Sequence, residues 1–243
     1  MEKNIEFKQI ILATDGGSNV GSNPVIIAEE GHKSGVTIST IGIVDSLNKE
    51  TPMTEIQNIA LAGGGIWEMS DINSLTSAMS MVTMKSVHMT IEQAVNKELK
   101  QIVGTEFKDM HPSSRKKVTD IIDKLGDEIN IKCCVVIDCS GSMVNKINIS
   151  KHSIINLLRV LSSRKGKTSI SVIGYPGVDN RLYDILCDFT EDISELEEAL
   201  IKIQTGGTTP TGPALDAAIK MLNGEITGLY VDEEDTLLRS NIV

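Results

Sequence analysis

The sequence predicts an α/β fold, a doubly wound and mostly parallel sheet with helices on both faces. Three observations lead there. Short continuous apolar runs recur along the chain, the pattern of strands buried on both faces. Stretches with helical periodicity separate most of these runs, so strands and helices alternate. The 243 residues, 40% apolar and 23% charged, suffice for a single domain over 1–243 with a sizeable core.

The first strand is Gln9-Ile-Ile-Leu-Ala-Thr-Asp15, followed by a polar, glycine-rich loop to Gly21. Asn23 caps a helix that has Pro24 in its first position and Gly35 just beyond its end. Residues 36–44 (VTISTIGIV) form the second strand. Thr54 and Gln57 make a capping box for a helix ending near Gly63, residues 66–69 give a short strand, and Asp71 opens another helix. Over 85–128 the rhythm breaks. Val87, Ile91, Val95, Leu99 and Ile102, then Val118, Ile121, Ile122 and Leu125, follow helical spacing with no strand between, giving two connector helices around His111-Pro112. Alternation then resumes, with strands over 131–138, 168–175 and 184–190 and helices over 146–162, 194–203 and 213–222. The acidic tail at 224–243 is expected to be partly disordered.

Composition excludes several functions. A formal charge of −10 with 3% aromatic residues repels phosphate backbones and offers few stacking platforms, which argues against nucleic acid. The polar amino terminus and the lack of an apolar run of about 18–20 residues predict a cytoplasmic protein without a membrane segment. Adjacent Cys133 and Cys134 point to opposite faces of a strand and cannot chelate one ion, so these thiols and those of Cys139 and Cys187 read as buried and reduced. The loop after Asp15 could cradle a phosphate, but it has neither the GxxxxGK[ST] nor the GxGxxG spacing. Ser140 lies outside any G-x-S-x-G elbow, which excludes that class of serine hydrolase. His32, His88, His111 and His152 fall on helices or the connector, away from the strand ends. Met79, Met81, Met84 and Met89 read as connector core, and the charged run 191–198 as a solvated helix face.

In sheets of this kind, ligands sit outside the carboxyl ends of the strands where the strand order reverses. The 131–138 strand delivers Asp138-Cys-Ser140-Gly-Ser142 at such an end, so a carboxylate and two hydroxyls converge. Hard oxygen donors with few carboxylates suit Mg²⁺. The bland alternative is a strand-to-helix turn with Ser142 as a helix cap. Two further features end at comparable places: the Thr208-Thr-Pro-Thr-Gly212 loop before a helix, and Asp15-Gly16 after the first strand.

Together these features resemble the metal-ion-dependent adhesion site (MIDAS) of von Willebrand factor type A (VWA) domains. That family's pattern is D-x-S-x-S after its first strand, a threonine in a G-x-T-x-x-G-like loop, and an aspartate in a strand ending T-D-G. The matching residues are Asp138, Ser140 and Ser142, then Thr209, then Asp15 in Ala13-Thr-Asp-Gly16. Thr209 precedes the loop glycine by three, and Thr208 is next in line. In the family the T-D-G strand follows the threonine loop, whereas here it comes first, so the sequence resembles a circularly permuted member. Residues 8–84 are similar to the carboxyl-terminal half of a VWA domain, including the Thr37-Ile-Ser-Thr-Ile-Gly42 strand and the segment around Trp67. Residues 131–223 are similar to the amino-terminal half, with 85–128 as the helical connector. A swapped dimer is the alternative assembly, although the long connector makes the intramolecular one easier.

The resemblance implies a Rossmann-like sheet of order 3-2-1-4-5-6, with Asp138 and Asp15 flanking the switch point. It implies that Asp138, Ser140, Ser142 and Thr209 ligate Mg²⁺ or Mn²⁺, with Asp15 bound directly or through water. Two carboxylates leave the cation an electrophilic position for a partner's Asp or Glu. The function so implied is a bacterial protein-interaction adaptor and not an enzyme. Its partner is an unidentified protein such as an AAA+ ATPase or a stress-response protein. The competing expectation is a metal-dependent nuclease or phosphatase with a ribonuclease H-like site around Asp15, which needs more acids on adjacent strands.

Overall fold

The computed structural model describes residues 6–44, 53–102, 104 and 106–227; the readings of 1–5 and of the acidic tail beyond 227 lie outside them. Among the described residues, strands β1 (Glu6–Thr14), β2 (Thr37–Val44), β3 (Gly64–Asp71), β4 (Asn130–Asp138), β5 (Thr168–Tyr175) and β6 (Asp184–Thr190) form one sheet. Their order is β3-β2-β1-β4-β5-β6, parallel throughout except for the β5–β6 pair at one edge. This is the doubly wound, mostly parallel α/β fold that the apolar runs predict.

The pleat sends alternate residues of the central strands into two cores. Phe7, Ile11 and Ala13 of β1 and Cys133, Val135 and Ile137 of β4 face one core. That core is closed by α3 (Leu75–Ile102), α4 (Pro112–Glu128), α5 (Ile147–Leu161) and α6 (Ile193–Ile201). Ile10, Leu12, Cys134 and Val136 face the other, under α1 (Pro24–Lys33), α2 (Met53–Ala62) and α7 (Thr211–Asn223). Cys133 and Cys134 thus enter opposite cores, and all four thiols are buried and unpaired. Helix ends follow local chemistry: the Asn23 side chain accepts from the Val25 N–H at 2.9 Å, and Gly224 closes α7 with a left-handed φ of 75°.

Three elements differ from the sequence reading. Thr54 lies inside α2, not at its cap. Helix α7 starts at Thr211, because Pro213 falls within a first turn where no N–H partner is needed. The third difference is larger. A boundary at residue 85 falls inside α3, a single helix of 28 residues or about 42 Å, longer than the roughly 26 Å of an eight-residue strand. Its buried stripe of Leu75, Ala78, Met79, Val82, Val87 and Ile91 covers the sheet, so its first half belongs to the domain core. Around Val87–Ile91 it also meets α4, whose Gly126 lies opposite Val87 and Ile91 and whose Asp123 approaches His88 at 3.5 Å. Of the four methionines read as connector core, only Met79 is fully buried. Met84 is 37% exposed because it falls off the stripe.

Polar groups set how these layers meet. The Gln9 amide donates to Ser39 Oγ at 3.3 Å, and Ser39 Oγ lies 3.0 Å from Ser86 Oγ of α3, all fully buried. At the return into β4, Arg164 Nη2 donates to the carbonyls of Gly126 and Ile129 at 2.6 and 2.8 Å, satisfying the end of α4.

The start of α7 presses on the β1–α1 loop, where a Cβ at Gly212 would collide with the Ser22 carbonyl. Gly212→Ala should lower stability by about 1–3 kcal/mol in denaturant unfolding. Gly141→Ala, whose added Cβ meets open space, should stay within about 0.5 kcal/mol.

Candidate metal centre

The site is assembled by the register of the two central strands. Ala13 of β1 pairs with Ile137 of β4, so Thr14 and Asp138 come level at the carboxyl end of the sheet. Thr14 Oγ1 donates to Asp138 Oδ2 at 2.6 Å, and the Ser140 N–H donates to Oδ1 at 2.8 Å. Asp138 is fully buried. Burial pushes its carboxyl above the usual carboxylate range and the nearby Asp15 charge adds to this, while hydrogen bonds from Thr14 and Ser140 pull the other way.

Beyond Asp138 the chain makes a tight 3₁₀ turn, Gly141–Met143, before α5. That turn sets Ser140 Oγ 3.1 Å from Ser142 Oγ, and Ser142 Oγ donates to Asp15 Oδ1 at 2.7 Å. The Lys146 ammonium donates to Asp15 Oδ2 at 2.5 Å, with side chains only 8% and 3% exposed. Residues from the ends of β1 and β4 therefore form one polar cluster.

The third loop docks on both. Gly206 N–H donates to the Cys139 carbonyl at 2.8 Å, and Thr209 exchanges two bonds with Asn19, N–H to Oδ1 at 2.9 Å and carbonyl from N–H at 3.2 Å. Thr209 is buried beside the cluster's supporting loops while Thr208 is exposed. Among the described residues no hydrogen bond joins the Thr209 hydroxyl to Asp15, Asp138, Ser140 or Ser142. Tyr175, at the end of β5, is fully buried beside the Thr14 and Thr211 hydroxyls. Burial and the Asp138 charge raise its phenol well above its ordinary range.

The donor set is all oxygen: two carboxylates and two seryl hydroxyls, the chemistry of a hard divalent cation. Among the described residues no group of three or more His, Cys, Asp or Glu has metal-holding geometry, so a cation there would be held with hydroxyl help. The residues present thus fit Mg²⁺ or Mn²⁺. Cys139 inside the loop donates weakly to the Ile137 carbonyl at 3.5 Å, and burial pushes its thiol up to about 12, which leaves it inert. The histidines are engaged elsewhere. His32 packs at Gly64, His88 lies near Glu92 and Asp123, His111 caps α4, and His152 contacts the Asn148 carbonyl.

Two residues of the cluster escape sequence reasoning. Thr14 stands in the T-D-G triplet, but its role as the donor to Asp138 needs the β1–β4 register. Lys146 carries a detectable signal, a basic residue at the amino end of a helix, where the macrodipole disfavours it.

The sequence pattern described as von Willebrand factor type A domain matches residues 133–231. The protein YabS of Bacillus subtilis, itself uncharacterised, is 35% identical over 219 residues, covering 88% of this chain and 89% of YabS. The crystal structure of an uncharacterised protein from Alicyclobacillus acidocaldarius superposes with a TM-score of 0.84 at 32% identity, covering 90% of this chain and 95% of that one. The chain belongs to the same family as YabS, and its residues 133–231 are similar to the von Willebrand factor type A (VWA) domain.

Proposed function

We propose that the chain is a circularly permuted VWA module whose site binds Mg²⁺ or Mn²⁺ and, through it, an acidic side chain of a partner protein. The observation that carries this reading is the polar cluster itself: Asp138 bonded to Thr14, 124 positions earlier, and Asp15 bonded to Ser142, across the paired strands β1 and β4. The observed order 3-2-1-4-5-6, which VWA resemblance implies, is the same whether strands are counted from β1 or from β4, and counting from β4 makes the antiparallel edge strand β6 the third. On this reading α3 and α4 bridge what are the two ends of an unpermuted domain.

Asp138, Ser140, Ser142 and Asp15 would hold the ion, with Thr209 adjoining from its buried loop. When bound, the ion supplies a positive, electrophilic centre for a carboxylate. The chain's own residues do the positioning. Thr14 fixes one Asp138 oxygen, the Ser140 amide fixes the other, and Ser142 orients Asp15. Two carboxylates suit reversible docking better than two-metal phosphoester chemistry, which calls for a denser set of acids. By the same resemblance the partner is a cytoplasmic AAA+ ATPase or stress-response protein.

Millimolar Mn²⁺ or Mg²⁺ should raise the melting temperature of the wild type and leave Asp138→Ala unmoved; an equal response in the variant overturns the ligand assignment. Thr14→Val should cost about 1–3 kcal/mol in denaturant unfolding, because a buried carboxylate loses a donor, and should weaken the Mn²⁺ response. Capture of partners from cell extract should occur with Mg²⁺ and fail with chelator or with Asp138→Ala. Phosphoester turnover abolished by Asp15→Ala would instead establish the nuclease or phosphatase reading.

A further inference from the structure

Lys146 belongs to the cluster, yet the cation-binding reading gives it no task. Its ammonium is bonded to Asp15 Oδ2, in contact with the same carboxylate whose other oxygen Ser142 holds at 2.7 Å. Two physical facts make this placement demanding. A cation at the amino end of a helix meets the positive end of the macrodipole. A lysine head withdrawn from water also costs free energy unless an opposite charge offsets it. Asp15 supplies one such charge. The backbone fixes where the side chain starts: Lys146 N–H donates to the Met143 carbonyl at 2.8 Å, and its carbonyl accepts from Ser150 N–H at 3.0 Å. The turn that delivers Ser140 and Ser142 therefore roots Lys146 beside them, and the bond to Asp15 places its ammonium in the cluster.

Charge counting gives the consequence. Asp15 and Asp138 together present two carboxylates, and the Lys146 ammonium already sits on one of them. Building on the metal reading of this site, we propose that Lys146 is its internal counter-ion, competing with the divalent cation for Asp15 and so holding cation affinity down. A divalent ion reaches Asp15 only by displacing the ammonium or by lying beside it, where like charges repel strongly in a poorly solvated site.

The test is a Mn²⁺ titration of the full chain, followed by the electron paramagnetic resonance signal of the free ion, in wild type, Lys146→Met, Lys146→Arg and Asp138→Ala. Lys146→Met should bind Mn²⁺ about tenfold or more tightly than wild type, and Lys146→Arg should stay near wild type. Without Mn²⁺ the Met variant should melt below wild type, because Asp15 has lost its partner, and added Mn²⁺ should more than restore it. Lys146→Gln provides the same comparison should the Met variant fail to fold. Equal or weaker binding in a natively folded Lys146→Met protein, with Asp138→Ala abolishing the binding that the wild type shows, overturns the counter-ion alone. No bound Mn²⁺ in any of the four proteins overturns the metal site and the counter-ion together.

Discussion

The architecture turns on one hydrogen bond, from the Thr14 hydroxyl to the Asp138 carboxylate, between residues 124 positions apart. It forms only if β1 and β4 pair in parallel with their carboxyl ends level, and everything at the top of the sheet follows from that alignment. A shift of one residue would turn Asp138 toward the opposite face and send the apolar residues of β4 into the wrong cores. The buried carboxylate therefore reports on the whole central pairing, and its raised proton affinity is the cost of placing it there.

Much of this was legible beforehand, for identifiable reasons. Strands buried on both faces are largely apolar runs: β1 and β4 stand out for the unbroken stretches Ile10–Ala13 and Cys133–Ile137, and β2 and β5 place only small hydroxyl residues among their apolar ones. Asp138, Ser140 and Ser142 lie within five positions, so their convergence needs only a turn. What the sequence concealed depends on distant apposition or on helix geometry. Lys146 looks like a solvated residue at a helix start until Asp15, 131 positions earlier, is placed against it. Over 85–128 the sequence reads as a separate connector, because periodicity marks a helical face without saying what the face covers. Met84 and Met79 both fit a loose helical spacing, and only packing against the sheet distinguishes them.

The charge composition of the site has a counterpart in its construction. Asp138 is held by neutral donors from backbone and hydroxyl, Asp15 by a hydroxyl and an ammonium. Neutral donors leave a carboxylate's charge available to a further cation, whereas an ion pair consumes it. The two acids at one strand-end cluster are thus chemically unequal, though the sequence writes them with the same letter.

The hydroxyl of Ser86, seated on Ser39 beneath Gln9, gives α3 something that its hydrocarbon stripe does not. Greasy surfaces slide over one another with little change in energy, while a single oxygen lodged at a sheet position works as a detent, fixing both the advance and the azimuth of the helix. Past Ile91 few buried side chains remain to steer it. The heading of the α3–α4 arm is accordingly inherited from one notch near the middle of the long helix.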